Sequence, residues 1–136
     1  MDGLARRRGR PVRRVSHVLW QTRPVAVAVA VADGDRGGRM LHLLRLEYTG
    51  SEQAAEPHVA GHVAFLERHH AAGTFVLSGQ TVPTSEGGLI IAVGVDRQGA
   101  EDIAAEDPFV KAGVARYRIT TVTPGRAHPD LARLWR

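Results

Sequence analysis

The sequence predicts an α+β fold in which strands and helices follow one another in the order βαββαβ. Three observations support this prediction. The apolar patterning switches between a strand-like and a helix-like repeat, turn residues separate the segments, and the length of 136 residues suits one compact domain. The chain has no cysteine, which excludes a disulfide scaffold and any cysteine-based metal or redox site.

The first strand and the first helix have the clearest patterns. Residues 40–48 are mostly apolar, and the charged residues Arg45 and Glu47 alternate with apolar ones. This pattern is typical of a strand that is buried on one face. After a turn, the pattern predicts a helix that begins at Ser51 and ends at Gly73. Pro57 places the true first turn of this helix near Glu56, because proline is favoured at the start of a helix.

The remaining segments complete the fold. They are a strand at 74–77, a loop at 83–88, a strand at 89–95, a helix at 98–105, a helical turn at 109–112 and a strand at 114–122. Ser78-Gly79 is predicted to end the second strand, and Asp107-Pro108 to interrupt the second helix. The order is that of the ferredoxin-like unit, with a four-stranded antiparallel sheet.

Such a unit leaves one face of its sheet uncovered, because both helices pack on the other face. The strands nevertheless carry apolar residues on both faces, as in the run from Leu41 to Leu46 and the run from Leu89 to Val93. Large exposed apolar surfaces mark interfaces in soluble proteins. We therefore predict a homodimer in which two sheets pack face to face.

Charge divides the chain into two parts. Residues 1–39 hold nine arginines against three aspartates, whereas residues 40–136 have a net charge of −2. We expect a disordered basic extension at 1–39, a domain at 40–124 and a C-terminal tail at 125–136. The alternatives for 1–39 are a secretory signal, a nucleic-acid-binding arm, or a segment that is not translated because synthesis starts at Met40.

The composition also restricts location and partners. No apolar stretch is long enough to span a membrane, and the basic character belongs to residues 1–39 alone. We expect a cytoplasmic protein whose partners are a small-molecule ligand and a second copy of itself. Neither nucleic acid nor membrane is an expected partner.

Three groups of residues could carry chemistry. His58, His62 and His69 share a stripe of the first helix, but the metalloprotease pattern needs Glu where Val59 stands, so no metal is expected. His62 alone is either a hydrogen-bonded half-buried side chain or a proton-transfer group.

The other two groups have equally plain alternatives. Asp107 either forms a turn before Pro108 or orients a histidine imidazole and fixes its tautomer. Ser78, Gly79 and Gln80 either form a turn or contact a ligand.

Several motifs together resemble the YciI-like family, also called the YCII-related domain, over residues 40 to about 124. They are His62-Val-Ala-Phe65-Leu66, His70-Ala-Ala-Gly73, Ser78-Gly79, Gly87-Gly88-Leu89-Ile90 and Glu106-Asp-Pro-Phe109-Val-Lys-Ala-Gly113-Val114. The resemblance implies a dimeric α+β barrel with a pocket between helix and sheet, and a catalytic pair that falls on His62 and Asp107. Two positions depart from the family pattern, Val59 in place of an arginine and Gln80 in place of a proline.

The resemblance implies a small-molecule enzyme that uses general acid–base proton transfer, of isomerase or elimination type. We expect His62 and Asp107 to be catalytic and Ser78, Gly79, Gln80 and Phe109 to bind substrate, without cofactor or metal. The alternative is a non-catalytic homodimer that binds a ligand or a partner.

Overall fold

A four-stranded antiparallel sheet organises residues 40–135, the residues that this computed structural model describes. Its strands lie in the order β2-β3-β1-β4. They are β1 (Leu41–Tyr48), β2 (Phe75–Gln80), β3 (Gly88–Val93) and β4 (Ala115–Val122). The helices are α1 (Val59–Ala71), α2 (Arg97–Ala104), α3 (Pro108–Lys111) and α4 (Pro129–Ala132), with 3-10 helices at Glu52–His58, Thr84–Glu86 and Arg133–Trp135. The predicted α+β fold with its ferredoxin-like strand order is confirmed, and the predictions for residues 1–39 lie outside the described residues.

The segment predicted as one helix from Ser51 to Gly73 is two elements. The Ser51 hydroxyl accepts a hydrogen bond from the backbone N–H of Ala54 and caps the 3-10 helix Glu52–His58, which contains Pro57. The α-helix starts only at Val59, so the first turn predicted near Glu56 was wrong. Pro57 has no N–H to donate to a helical hydrogen bond, and the regular α-helix starts two residues after it.

Strand β2 is longer than predicted. Ser78, Gly79 and Gln80 pair with Ile90, Leu89 and Gly88 of β3, so Ser78-Gly79 continues the strand instead of ending it. The turn prediction for these residues was wrong because the ladder with β3 outweighs the local turn preference of serine and glycine. The real turn comes later, where Gly87 adopts φ 111°.

The C-terminal residues, predicted as a tail, contain the short helix α4. The His128 side chain accepts a hydrogen bond from the backbone N–H of Asp130, and Pro129 occupies the first turn. Ala132 is buried. The last described residues therefore contribute a buried contact and a short helix.

The core lies between the helices and one face of the sheet, in two clusters that meet at Tyr117. The first cluster comprises Leu44, Phe65, Leu66, Phe75, Ile90, Ala92 and Ala104. The second comprises Leu46, Ala55, Phe109 and Ala115. Tyr117 packs against both clusters. Its hydroxyl is thereby held inside the protein, where it needs a polar partner.

The other face of the sheet is apolar in one part and charged in another, where Arg45 lies beside Arg118 and Glu47 beside Arg116. Leu43 and Ile91 are direct neighbours across β1 and β3 on this face, and both are half-buried. Leu77 and Val122, on the two edge strands, are 48% and 37% exposed. The predicted homodimer stays a prediction.

Within residues 40–135 no helix is long and apolar enough to cross a lipid bilayer.

Candidate functional site

The site forms where helix α1 passes the start of helix α3. His62 lies on the face of α1 that packs on the sheet, four residues before Leu66 in the same core. Asp107 directly precedes α3. The His62 and Asp107 side chains are 1% and 0% exposed, and Nδ1 of His62 lies 2.8 Å from Oδ2 and 2.9 Å from Oδ1 of Asp107. The structure thus brings together two residues that are far apart in sequence.

The Asp107 carboxylate accepts three hydrogen-bond donors. Besides His62, the backbone N–H of Phe109 donates to Oδ1 over 2.9 Å, and the Tyr117 hydroxyl donates to Oδ2 over 2.5 Å. The first of these bonds caps α3, which Pro108 begins. Asp107 therefore does both things that the sequence allowed, since it forms the turn before Pro108 and it also binds a histidine.

This hydrogen-bonding pattern selects one tautomer of His62. An ionised carboxylate can only accept hydrogen bonds, so Nδ1 of His62 carries the proton and donates it to Asp107. In the neutral imidazole Nε2 is then the nitrogen with the lone pair. That is the form in which a histidine can accept a proton from another molecule.

Tyr117 belongs to the site although the sequence analysis did not single it out. Burial, and then the neighbouring Asp107 charge, raises the pKa of the Tyr117 hydroxyl well above its ordinary value, so it stays a donor to the carboxylate. The signal in the sequence was weak. Alternation along β4 places Tyr117 on the buried face, but only the pairing of β4 with β1 brings it to Asp107.

Phe109 supports the imidazole from the other side. Its ring stacks on the His62 ring with centroids 4.1 Å apart and an angle of 4° between the planes. The Phe109 side chain is fully buried. Stacking and the bond to Asp107 together restrict both the rotation and the tilt of the imidazole. His62 is thus pre-positioned by packing as well as by hydrogen bonding.

Two cavities lie near the site, and His62 lines the smaller one. The smaller, of about 10 Å³, is lined by His62, Ser78, Gly79 and Tyr117 together with apolar residues of the sheet and Leu66. We call it the histidine cleft. Gln80 and Phe109 line the second cavity, of about 80 Å³. The predicted binding residues are therefore divided between two neighbouring spaces.

The Ser78 hydroxyl forms a hydrogen bond with a second histidine of α1. Nε2 of His70, two turns after His62 on α1, lies 2.8 Å from the Ser78 Oγ. Burial lowers the pKa of His70 below its ordinary value of 6.5, with the backbone carbonyl of Phe75 acting in the opposite direction. His70 is therefore neutral at neutral pH, and it can either accept the Ser78 proton or donate to the Ser78 oxygen.

The remaining histidines of the first helix do not join His62. His69 donates from Nε2 to Oε2 of Glu106 over 2.9 Å, at the surface end of the helix. Within the described part of the chain, no group of three or more histidine, aspartate or glutamate side chains is placed to hold a metal ion. The stripe of His58, His62 and His69 is split among different environments.

Comparison with known proteins gives a family and a similar structure. The family described as YCII-related domain matches residues 40–123, which include each residue of the site. The chain is similar in structure to the 5-chloro-2-hydroxyhydroquinone dehydrochlorinase TftG of Burkholderia phenoliruptrix AC1100, solved in complex with 2,5-dihydroxybenzoquinone. The two chains share 21% identity with a TM-score of 0.49, and the match covers 68% of this chain and 97% of that chain. The curated proteins contain no match.

Proposed function

Because the chain belongs to the YCII-related domain family over residues 40–123, we propose that it is a small-molecule enzyme of the proton-transfer type. The observation that carries the proposal is the contact of 2.8 Å between His62 and Asp107 beside the histidine cleft. A carboxylate that fixes the tautomer of an imidazole is the usual support of a histidine general base.

The proposed reaction begins with proton abstraction. Nε2 of His62 takes a proton from a small cyclic or carbonyl-bearing substrate, and the Asp107 charge stabilises the imidazolium that forms. In an isomerisation the proton returns to a different atom of the substrate. In an elimination the electron pair of the broken C–H bond forms a double bond, and a leaving group departs with its own electron pair. General acid–base catalysis of this kind contributes about a hundred- to ten-thousandfold in rate.

Burial makes Asp107 indispensable to this step. An imidazolium in a site that is 1% exposed would be an uncompensated buried charge without its carboxylate. Tyr117 and the backbone of Phe109 keep the carboxylate in place, and neither can neutralise the cation. Asp107 is therefore the group that compensates the charge of His62 while the imidazole carries the substrate proton.

The other predicted residues have roles in binding. Ser78 and Gly79 border the histidine cleft, and the Ser78 hydroxyl, backed by neutral His70, can hydrogen-bond a substrate oxygen. Gln80 and Phe109 border the adjoining cavity, where the rest of the substrate would lie. The proposed proton transfer at His62 does not depend on this role of Gln80.

Proton exchange tests the proposal without the physiological substrate. Cyclohexanone and cyclohexenone are incubated with the full-length chain in deuterated water, and the loss of their α-proton signals is followed by NMR. We expect the chain to accelerate exchange, and His62→Gln to reduce the acceleration about a hundredfold or more. His58→Ala, a histidine replacement outside both cavities, is the control. Acceleration that survives His62→Gln, or the absence of acceleration, contradicts the proposal.

One observation favours the non-catalytic alternative. The pair is wholly buried and connects α1 to the cap of α3, which is also what a purely structural contact would do. In that case His62→Gln lowers the unfolding temperature, and the wild-type chain exchanges no α-protons. A ligand-binding homodimer would then be the better description.

We also propose that two copies pack through the open face of the sheet. Leu43, Ile91 and the exposed Leu77 form an apolar surface that water would otherwise cover. Sedimentation velocity of the full-length chain should give a dimer, and Leu43→Lys should give a monomer with the same circular dichroism. Wild-type protein that sediments as a monomer at micromolar concentration would contradict this.

The proposed location is the cytoplasm, and no nucleic acid is a proposed partner. The lack of cysteine suits a reducing compartment, and residues 40–136 carry a net charge of −2. Cell fractionation tests the location. Salt-dependent retention of the full-length chain on immobilised DNA would contradict the second statement.

A further inference from the structure

The larger cavity, which we call the acidic cavity, lies next to the histidine cleft. Its volume is about 80 Å³, against about 10 Å³ for the cleft. The two spaces share a wall, because the consecutive residues Gly79 and Gln80 line one each. In addition, His62 of the cleft stacks on Phe109 of the acidic cavity. The two cavities are therefore neighbours, with the stacked His62 and Phe109 rings between them.

Aromatic rings and carboxylates meet in this cavity. The rings of Tyr48 and Phe109 are 6.5 Å apart between centroids and tilted by 56°. Glu52 and Glu56, four residues apart on the 3-10 helix, line the same space, and none of its lining residues within the described chain is a lysine or an arginine. Aromatic faces and carboxylates both attract cations. Neither group attracts an anion.

Two further features point the same way. Burial, together with the charge of Glu52, raises the pKa of the Tyr48 hydroxyl to about 12, so the negative field of the carboxylate reaches the wall of the cavity. The Oε1 atom of Gln80 is buried and makes no hydrogen bond within residues 40–135. An amide oxygen in such a position can accept a hydrogen bond from an N–H or O–H group of a ligand.

We infer that the acidic cavity binds a cationic nitrogen group, such as an ammonium, at the end of the substrate that does not react. This inference rests on the proposed function only in assigning the reacting end to His62. The ammonium has the Tyr48 and Phe109 rings on one side and the carboxylates of Glu52 and Glu56 on the other. One of its N–H groups is directed to Gln80. Val59, an apolar residue in the same wall, packs against the carbon skeleton. Substrates with a carboxylate or phosphate at this end are excluded by charge.

Three probes of similar size and different charge test the inference on the full-length chain. They are phenethylamine, phenethyl alcohol and phenylacetate, which are cationic, neutral and anionic at neutral pH. Titrations are followed by amide proton–nitrogen correlation spectra at low ionic strength. We expect phenethylamine to bind roughly threefold or more tightly than the alcohol, since one cation–π contact alone corresponds to a factor of about two to five. Phenylacetate should bind most weakly, and the shifts should concentrate at residues 52–59 and at Phe109.

Matched variants assign the preference to the cavity. Glu52→Gln with Glu56→Gln should abolish the preference for the amine. Glu67→Gln with Glu86→Gln removes the same charge from exposed positions outside the cavity and should preserve the preference. Equal binding of the three probes, a preference that both double variants share, or shifts confined to another surface would overturn the inference.

The two proposals can fail separately. Loss of amine binding in the Glu52 and Glu56 variant concerns the acidic cavity only, whereas proton exchange with cyclohexanone concerns His62 only. If amine selectivity is absent while exchange depends on His62, the cavity assignment is wrong and the enzyme proposal stands. If selectivity is present without exchange, the cavity binds a cation in a protein that is not an acid–base enzyme.

Discussion

Replacing Asp107 with asparagine tests whether this carboxylate sets the protonation of His62. The substitution preserves the size of the side chain and removes its charge. Asparagine also caps helices well, so its Oδ1 can continue to accept the backbone N–H of Phe109. The amide nitrogen then takes the place of Oδ2 and faces two donors, the Nδ1–H of His62 and the hydroxyl of Tyr117.

The loss in free energy of unfolding follows from the hydrogen bonds that the substitution changes. A hydrogen bond to a charged group contributes about 1.5–3 kcal/mol, and one between neutral groups about 0.5–1.5 kcal/mol. His62 and Tyr117 each lose the charged partner. Both must reorient to accept a hydrogen bond from the new amide nitrogen. We therefore expect Asp107→Asn to lower the free energy of unfolding by about 2–3 kcal/mol. The proton of His62 should move from Nδ1 to Nε2, because Nδ1 must now accept.

Two measurements on the full-length chain check this expectation. Urea unfolding at a fixed protein concentration gives the stability change. Imidazole nitrogen chemical shifts tell which ring nitrogen carries the proton. Asp96→Asn is the control, because Asp96 also caps a helix, accepting the N–H of Gly99 over 2.7 Å, but it is exposed and binds no histidine. That variant should stay within about 0.5 kcal/mol of wild type. If Asp107→Asn is equally mild and Nδ1 of His62 stays protonated, the carboxylate does not set the tautomer.

Three other perturbations have definite expected results. Tyr117→Phe removes a hydroxyl donor to the buried carboxylate and should cost about 1–3 kcal/mol in urea unfolding. Gly87→Ala should cost about 3 kcal/mol or more, because its Cβ would overlap the carbonyl oxygen of Leu46 and its φ is 111°. His70 has a lowered pKa, so the unfolded chain binds its proton first, and the stability that His70 contributes is present above pH 6.5 and lost as the pH falls below it. His70→Gln should therefore weaken the loss of stability between about pH 7 and about pH 5, measured by urea unfolding at each pH.

Each of these results has a control or a contradicting outcome. Gly50→Ala, where an added Cβ meets nothing within 4 Å, should be nearly neutral, and a Gly87→Ala variant as stable as this control would contradict the overlap. A Tyr117→Phe variant of wild-type stability would mean that the hydroxyl contributes no net energy to the carboxylate. Parallel pH profiles for wild type and His70→Gln would show that His70 does not titrate differently in the folded chain.

Residue patterns were sufficient for the elements that local preferences control. The alternation in β1 and β4 and the helical repeat around His62 gave the βαββαβ order, and Gly73, at φ 77°, ended the first helix as predicted. Local signals misplaced the ends where another strand or a proline decided. Ser78-Gly79 resembles a turn, but pairing with β3 keeps it extended. Pro57 resembles the first turn of an α-helix, but it lies within a 3-10 helix.

The site divides in the same way between sequence and tertiary structure. The sequence by itself determined which residues could carry a proton, since the motifs around His62 and Asp107 resemble those of the family. Only the tertiary structure decided that they touch, because 45 residues separate them and the packing of α1 against α3 closes that distance. Tyr117 and the acidic cavity were beyond the sequence for the same physical reason. A hydroxyl, a ring or a carboxylate gains its role from neighbours on other elements, and those neighbours are chosen by packing and by strand register rather than by position along the chain.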